Sequence, residues 1–147
     1  MEISWSIKKF DELSVHELYA ILELRNEVFV VEQNCVFQDT DNMDQLSYHL
    51  SGYLNGNLIA YARLIPPSIA YKEMSIGRIV SKPSFRKLGI GKKLVEAAIE
   101  EMYSLFGLQP IKIGAQYYLL NFYQSLGFKE IGEIYLLDGI DHIEMIR

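Results

Sequence analysis

The residues best placed to do chemistry are Arg86-Lys87-Leu88-Gly89-Ile90-Gly91, the pattern Arg-x-x-Gly-x-Gly at the head of a helix-forming run. Two glycines one residue apart let the backbone approach a ligand closely and adopt positive φ. The first amides of a helix have no intrahelical partner, and the helix dipole favours an anion beside them. The window Met74–Val95 holds six of the 14 basic residues (Arg78, Lys82, Arg86, Lys87, Lys92, Lys93) and none of the 19 acidic ones. A local positive island on a chain of net charge −5 suits a small polyanion. It does not suit nucleic acid, whose binders carry a broad basic footprint. The P-loop is excluded because Lys93 follows Gly91-Lys92 where Ser or Thr is required. The dinucleotide fingerprint is excluded because Leu94 stands at its third glycine.

Proton-transfer groups are scattered. His49, His142, Glu32, Glu73 and Glu144 are all candidates for a general base, directly or through water. His16 falls in a helix's first turn and is expected to be solvated. Tyr123 lies in an aromatic run with Tyr117, Tyr118 and Phe122, where its surroundings alone suggest a core side chain. The single cysteine, Cys35, has no defined partner and reads as a small buried residue. Arg25, Arg63 and Arg78 sit in apolar stretches, which calls for carboxylate partners or, alternatively, an acidic acceptor. The acids after Glu32 do not make a calcium loop: counting from Asp39, the sixth and twelfth positions are Asp44 and Leu50. No metal site is expected.

The elements that must position these groups follow from pattern. Ile3–Lys8 alternates as a strand. Ser14 and Glu17 form a capping box for a helix running to about Phe29, although the β-branched run Val28-Phe29-Val30-Val31 blurs its end. Glu32–Leu46 is polar and turn-like. Ser47–Leu54 and Asn57–Ile65 are strands joined by an Asn55-Gly56 turn. Alternation puts Leu58, Ala60, Ala62 and Leu64 on one face and Ile59, Tyr61, Arg63 and Ile65 on the other. Met74–Lys82 is a strand, and a long helix runs from Leu88 or Gly89 to Phe106, stopped by Gly107. Pro110–Ala115 is a strand, Tyr117–Leu126 a short helix, and Phe128–Leu137 and Ile140–Ile146 a hairpin about Asp138-Gly139.

A meander followed by two strand–helix units predicts an α/β (α+β) fold with a mixed, mostly antiparallel sheet and helices on both faces. At 147 residues, half of them apolar, residues 1–147 read as one domain. No apolar run approaches the ~20 residues of a membrane span. The opening residues lack the regions of a signal peptide, so a cytoplasmic protein is expected.

The glycine loop resembles the pyrophosphate motif of the GNAT superfamily of N-acetyltransferases. Asn121-Phe122-Tyr123-Gln124-Ser125-Leu126-Gly127-Phe128 is similar to that family's later Asn-x-x-Tyr-x-x-x-Gly-Phe signature. Leu24–Cys35 and Asp138–Ile143 resemble its ElaA-like branch. The resemblance implies an N-acetyltransferase that moves acetyl from acetyl-CoA to a primary amine by direct attack. The pyrophosphate would lie on the amides of Arg86, Lys87, Leu88, Gly89, Ile90 and Gly91. Pantetheine would add beside Ile79, Val80 and Ser81 where two parallel strands splay, with Asn121 also touching the coenzyme A. It implies Tyr123 as general acid to the leaving thiolate: a thiol titrates near ~8.5 and a phenol near ~10. It implies a backbone N–H near Val80 as oxyanion donor. Many relatives carry a glutamate base on the strand before the loop, but Met74–Ser81 has no carboxylate, so the base stays open among the candidates above, with His49 named as a catalytic residue. A homodimer is plausible. The alternative function is an acyl-CoA-binding sensor without turnover.

Overall fold

The computed structural model describes residues 2–147. Seven strands form one sheet in the order β1-β2-β3-β4-β5-β7-β6. They are β1 (Ser4–Lys9), β2 (Tyr48–Leu54), β3 (Asn57–Ile65), β4 (Met74–Ser81), β5 (Ile111–Gln116), β6 (Lys129–Leu137) and β7 (Ile140–Ile146). Every neighbouring pair is antiparallel except β4 and β5, which run parallel and pair only at Met74–Ile111 and Ser75–Lys112. Beyond Ser75 and Lys112 the two strands separate. The split falls in the middle of the sheet.

Helices α1 (Val15–Arg25), α2 (Ile90–Phe106) and α3 (Leu120–Ser125) cover both faces, as expected from the element order. The Ser14–Glu17 capping box starts α1: the Glu17 N–H donates to Ser14 Oγ, and the Ser14 N–H donates to the Glu17 carboxylate. The expected continuous helix to Phe29 instead becomes a wide π-helical segment over Asn26–Glu32. Consecutive β-branched valines lose rotamer freedom in a tight α-turn, and wide turns collect at functional sites. Both tight hairpin turns have left-handed backbone at both central residues: Asn55 (φ 50°) and Gly56 (80°), and Asp138 (53°) and Gly139 (75°).

The larger core lies under α2, whose Ile90, Leu94, Val95, Ala98, Ile99 and Met102 are buried against the sheet. Burying each of these side chains other than Ala98 stabilises by about 1.5–3 kcal/mol relative to exposure, so α2 is held by its underside. Ile21, Leu24 and Val28 form a second cluster with Tyr61 and Val80 on the opposite face. The expected alternation of β3 fails at one point. Gly52 faces Ala60 while Tyr53 faces Leu58, so Ile59 is an extra residue. This bulge puts Ile59 in the larger core with Ala60 and turns Leu58 to the α1 side.

A second bulge shapes β4. Arg63 faces Gly77 and Tyr61 faces Val80, so three steps of β4 span two of β3. Arg78, inside the bulge, has φ 48°. Its guanidinium reaches the Glu32–Leu46 loop, where three arginines meet three aspartates. Arg25 donates to Asp39 and Asp44, each at 2.8 Å. Arg63 donates to Asp41 at 2.8 Å and Asp44 at 2.9 Å, and Arg78 to Asp39 at 2.9 Å. All three arginines are therefore occupied by carboxylates of the chain itself. The network ties that loop to α1, β3 and the bulge of β4.

Candidate active site

A cleft of about 760 Å³ follows the split between β4 and β5. One lip is Ile76–Ser81, the other Ile113–Gln116, and the glycine loop closes one end. The freed edges carry backbone groups with no strand partner, a natural place for an extended, amide-bearing arm. Lys82 N–H donates to Ile59 O at 2.8 Å. Alternation along β4 then aims the Val80 N–H at Tyr61 and leaves those of Ile79 and Ser81 for the cleft. Of the amides near Val80, where a donor is expected, Val80's own thus faces β3, and those of Ile79 and Ser81 are the ones open to the cleft.

The glycine loop enters α2 through a short turn at Pro83–Phe85. Lys87 (φ 74°) and Gly89 (73°) are both left-handed. Gly89 is the N-cap of α2, with no side-chain cap and no acid in the first turn. The first amides of α2 thus have no partner, and Lys92 and Lys93 stand at a helix end where cations are unfavourable unless an anion is present. A Cβ on Gly89 would meet nothing within 4 Å. The loop has the donors, the charge and the open space that a pyrophosphate requires.

The structure brings Ile79, Val80, Ser81, Arg86, Lys87, Gly89, Ile90, Gly91 and Tyr123 together on the cleft wall. Leu88 is not on that wall; it is 53% exposed. Asn121 is exposed on α3 and also lies off the wall. Arg86 holds Glu32 in a two-pronged pair at 2.7 and 2.6 Å, linking the glycine loop to the π-helical segment.

His49 is corrected. It is 1% exposed and lies away from the cleft, between β1 and β3 in the sheet. One ring nitrogen meets Tyr61 Oη at 2.7 Å and the other the Asp44 carbonyl at 2.9 Å. Burial pushes its imidazole below the ordinary range, with Arg25 and Arg63 nearby. It is a satisfied core histidine. The sequence offers it as a candidate base but does not show where the sheet splits.

Tyr123 is 5% exposed on α3, with its ring edge-on to Phe122 and Phe128. Burial, with Tyr118 adding to it, raises its phenol well above 10. The hydroxyl therefore stays protonated and available as a donor at neutral pH. Cys35 is half-buried rather than buried, lines the cleft, and donates its thiol to Asp138 O at 3.3 Å. Gln33 and Gln116 exchange side-chain hydrogen bonds at 3.2 and 3.3 Å. These two contacts bridge the cleft from the end of the π-helical segment to β5 and to the β6–β7 turn. Nothing in the sequence pointed to the Gln33–Gln116 pair, whose members are 83 residues apart.

The GNAT acetyltransferase domain family matches residues 20–147. The chain belongs to the GNAT family. Within it, it is similar to the protein ElaA of Escherichia coli, 41% identical and covering 99% of this chain and 96% of ElaA. It is 42% identical to a UPF0039 protein of Synechocystis over the same shares. The crystal structure of ElaA superposes with a TM-score of 0.92. That of an acyl-CoA N-acyltransferase from Pseudomonas aeruginosa superposes at 0.94, with 39% identity and 99% of each chain covered. The fold is that of the GNAT acyl-CoA N-acyltransferases, and its chemistry is acyl transfer from coenzyme A to an acceptor. No helix of the described residues is long and apolar enough to cross a membrane.

Proposed function

We propose that this GNAT domain transfers acetyl from acetyl-CoA to a primary amine. The observation that carries the reading is the split between β4 and β5 running up to an uncapped, basic helix start. The amides and charges of Arg86–Gly91 hold the pyrophosphate, and Ile79–Ser81 pairs with the pantetheine arm. The Ile79 N–H faces the thioester carbonyl and stabilises the oxyanion that forms on it. Tyr123 gives its proton to the sulfur as the C–S bond breaks. Of the cleft's carboxylates, Glu32 is held by Arg86 and Asp39 by Arg25 and Arg78, leaving Asp138. Phe29, Phe37, Leu137 and Ile140 supply apolar wall. This lining favours one ammonium on an apolar body over a polycation.

The test follows free thiol while acetyl-CoA is offered with arylalkylamines, amino acids, lysine peptides, polyamines and aminoglycosides. Thiol release with the arylalkylamines is expected. Acetyl-CoA binding without release on any amine would replace the enzyme reading by that of a sensor. Preference for the polycations would overturn the acceptor class.

A further inference from the structure

We propose that His142 is the general base that takes the acceptor's ammonium proton; this rests on the acyl-transfer reading above. His142 lies on β7 opposite Gln116, the last residue of the β5 lip, and lines the cleft. It is 7% exposed. Its Nδ1 is 2.7 Å from the Ile140 carbonyl. A carbonyl only accepts, so the proton is on Nδ1 and the neutral ring carries a bare lone pair on Nε2. Tyr135 of β6 stacks on the ring at 5.7 Å and 30°, which together with the Nδ1 bond fixes its orientation. A ring held through one nitrogen, with the other left as an acceptor, is the arrangement a proton-abstracting imidazole needs.

The other candidates are disposed of by geometry. His49 is buried in the sheet with both nitrogens engaged. Glu32 is held by Arg86, and Glu144, on the same face of β7 as His142, pairs with Lys112 at 3.4 Å. Glu73 and Glu144 do not line the cleft. The groups facing His142 are Gln116 from β5, Tyr135 from β6 and Glu144 from its own strand. Asp138, in the turn between β6 and β7, lines the same cleft.

In the step, Nε2 takes one proton from the ammonium, and the freed amine's lone pair forms the C–N bond with the thioester carbonyl. When the C–S bond breaks, the sulfur takes the Tyr123 proton. The second nitrogen-bound proton then returns to the Tyr123 phenolate, directly or through water. The proton on His142 passes to solvent. The products are the N-acyl amine and coenzyme A thiol.

The test compares the wild type with His142→Asn, which keeps an amide donor for Ile140 O and loses the base. Nitrogen-15 NMR of the wild-type imidazole at about pH 8 should show Nδ1–H with Nε2 bare; the Nε2–H form would overturn the proposal. Acetyl-CoA should bind both proteins within about twofold; loss of binding in the variant would assign His142 to the cofactor site instead. With benzylamine, almost fully protonated at that pH, the variant's kcat/KM should fall about 100-fold. With aniline, already neutral there, it should fall only a few-fold. Equal losses with both amines would make the role structural and overturn the proposal. Wild-type turnover matched by the variant overturns His142 alone. A wild type that binds acetyl-CoA yet acylates no amine overturns the transfer reading and this one with it.

Discussion

Replacing Gly89 by alanine separates what the glycine loop does for the fold from what it does for the ligand. Gly89 has φ 73° and ψ 16°, and an added Cβ meets nothing within 4 Å. The cost to the folded protein is therefore that of a left-handed alanine, about 1–2 kcal/mol. For a domain of this size that lowers Tm by about 2–4 °C per kcal/mol. The ligand is affected differently, because the open space at Gly89 belongs to the cleft. Displacing a phosphate oxygen from even one amide forfeits a charged hydrogen bond worth about 1.5–3 kcal/mol. At about 1.4 kcal/mol per factor of ten, Kd for coenzyme A should rise about 10- to 150-fold. Thermal melting gives the first quantity and calorimetry the second. A lowered Tm with unchanged Kd would refute the placement of phosphate on this loop. No change in either would refute the left-handed geometry itself.

The arginine–aspartate network makes stability fall in acid. Burial alone would raise the Asp41 carboxyl, but the bonds and charge of Arg63 hold it at about 2, against 3.8 in the unfolded chain. A depressed carboxyl stabilises above its unfolded value and loses that contribution as pH falls through the folded one, here about 1 kcal/mol by pH 3. Asp44 is lowered by Arg25 and Arg63, and the lowered imidazole of His49 adds a loss that begins below about 6.5. Urea titrations from pH 7 to 3 should show wild-type stability falling more steeply than that of Asp41→Asn, and parallel slopes would contradict this. Tyr123→Phe should lower kcat by about 10²–10⁴ while acetyl-CoA affinity holds within twofold; unchanged turnover across pH would remove its role as acid. The Arg86–Glu32 pair is two-fifths exposed on both sides and worth under about 1 kcal/mol to stability. Glu32→Gln should leave Tm nearly unchanged and, by freeing Arg86, tighten coenzyme A binding; weaker binding by calorimetry would contradict that.

Features set by local backbone demands were legible in the sequence. Asn55-Gly56 and Asp138-Gly139 need positive φ, Ser14 and Glu17 can only cap a helix, and the glycines of the basic loop admit few other uses. The sheet class followed because the order of elements leaves few ways to pair them. Partners set by register were not legible. Arg25, Arg63 and Arg78 announced that they needed carboxylates, but only the folded loop brings Asp39, Asp41 and Asp44 to them. The bulges at Ile59 and Arg78 each insert one residue, and one residue reverses every face assignment beyond it. Which amides near Val80 face the cleft follows from the register of β4 on β3, which the sequence does not display. His49 and His142 are both candidates for the base, and only the position of the β4–β5 split distinguishes the packed one from the one at the cleft.

The most direct test of the central claim is calorimetric titration of acetyl-CoA into the wild-type protein at low and high salt. One site per chain is expected, with affinity falling as salt rises because the pyrophosphate meets fixed positive charge. The absence of both heat and thermal shift at either salt concentration would contradict it.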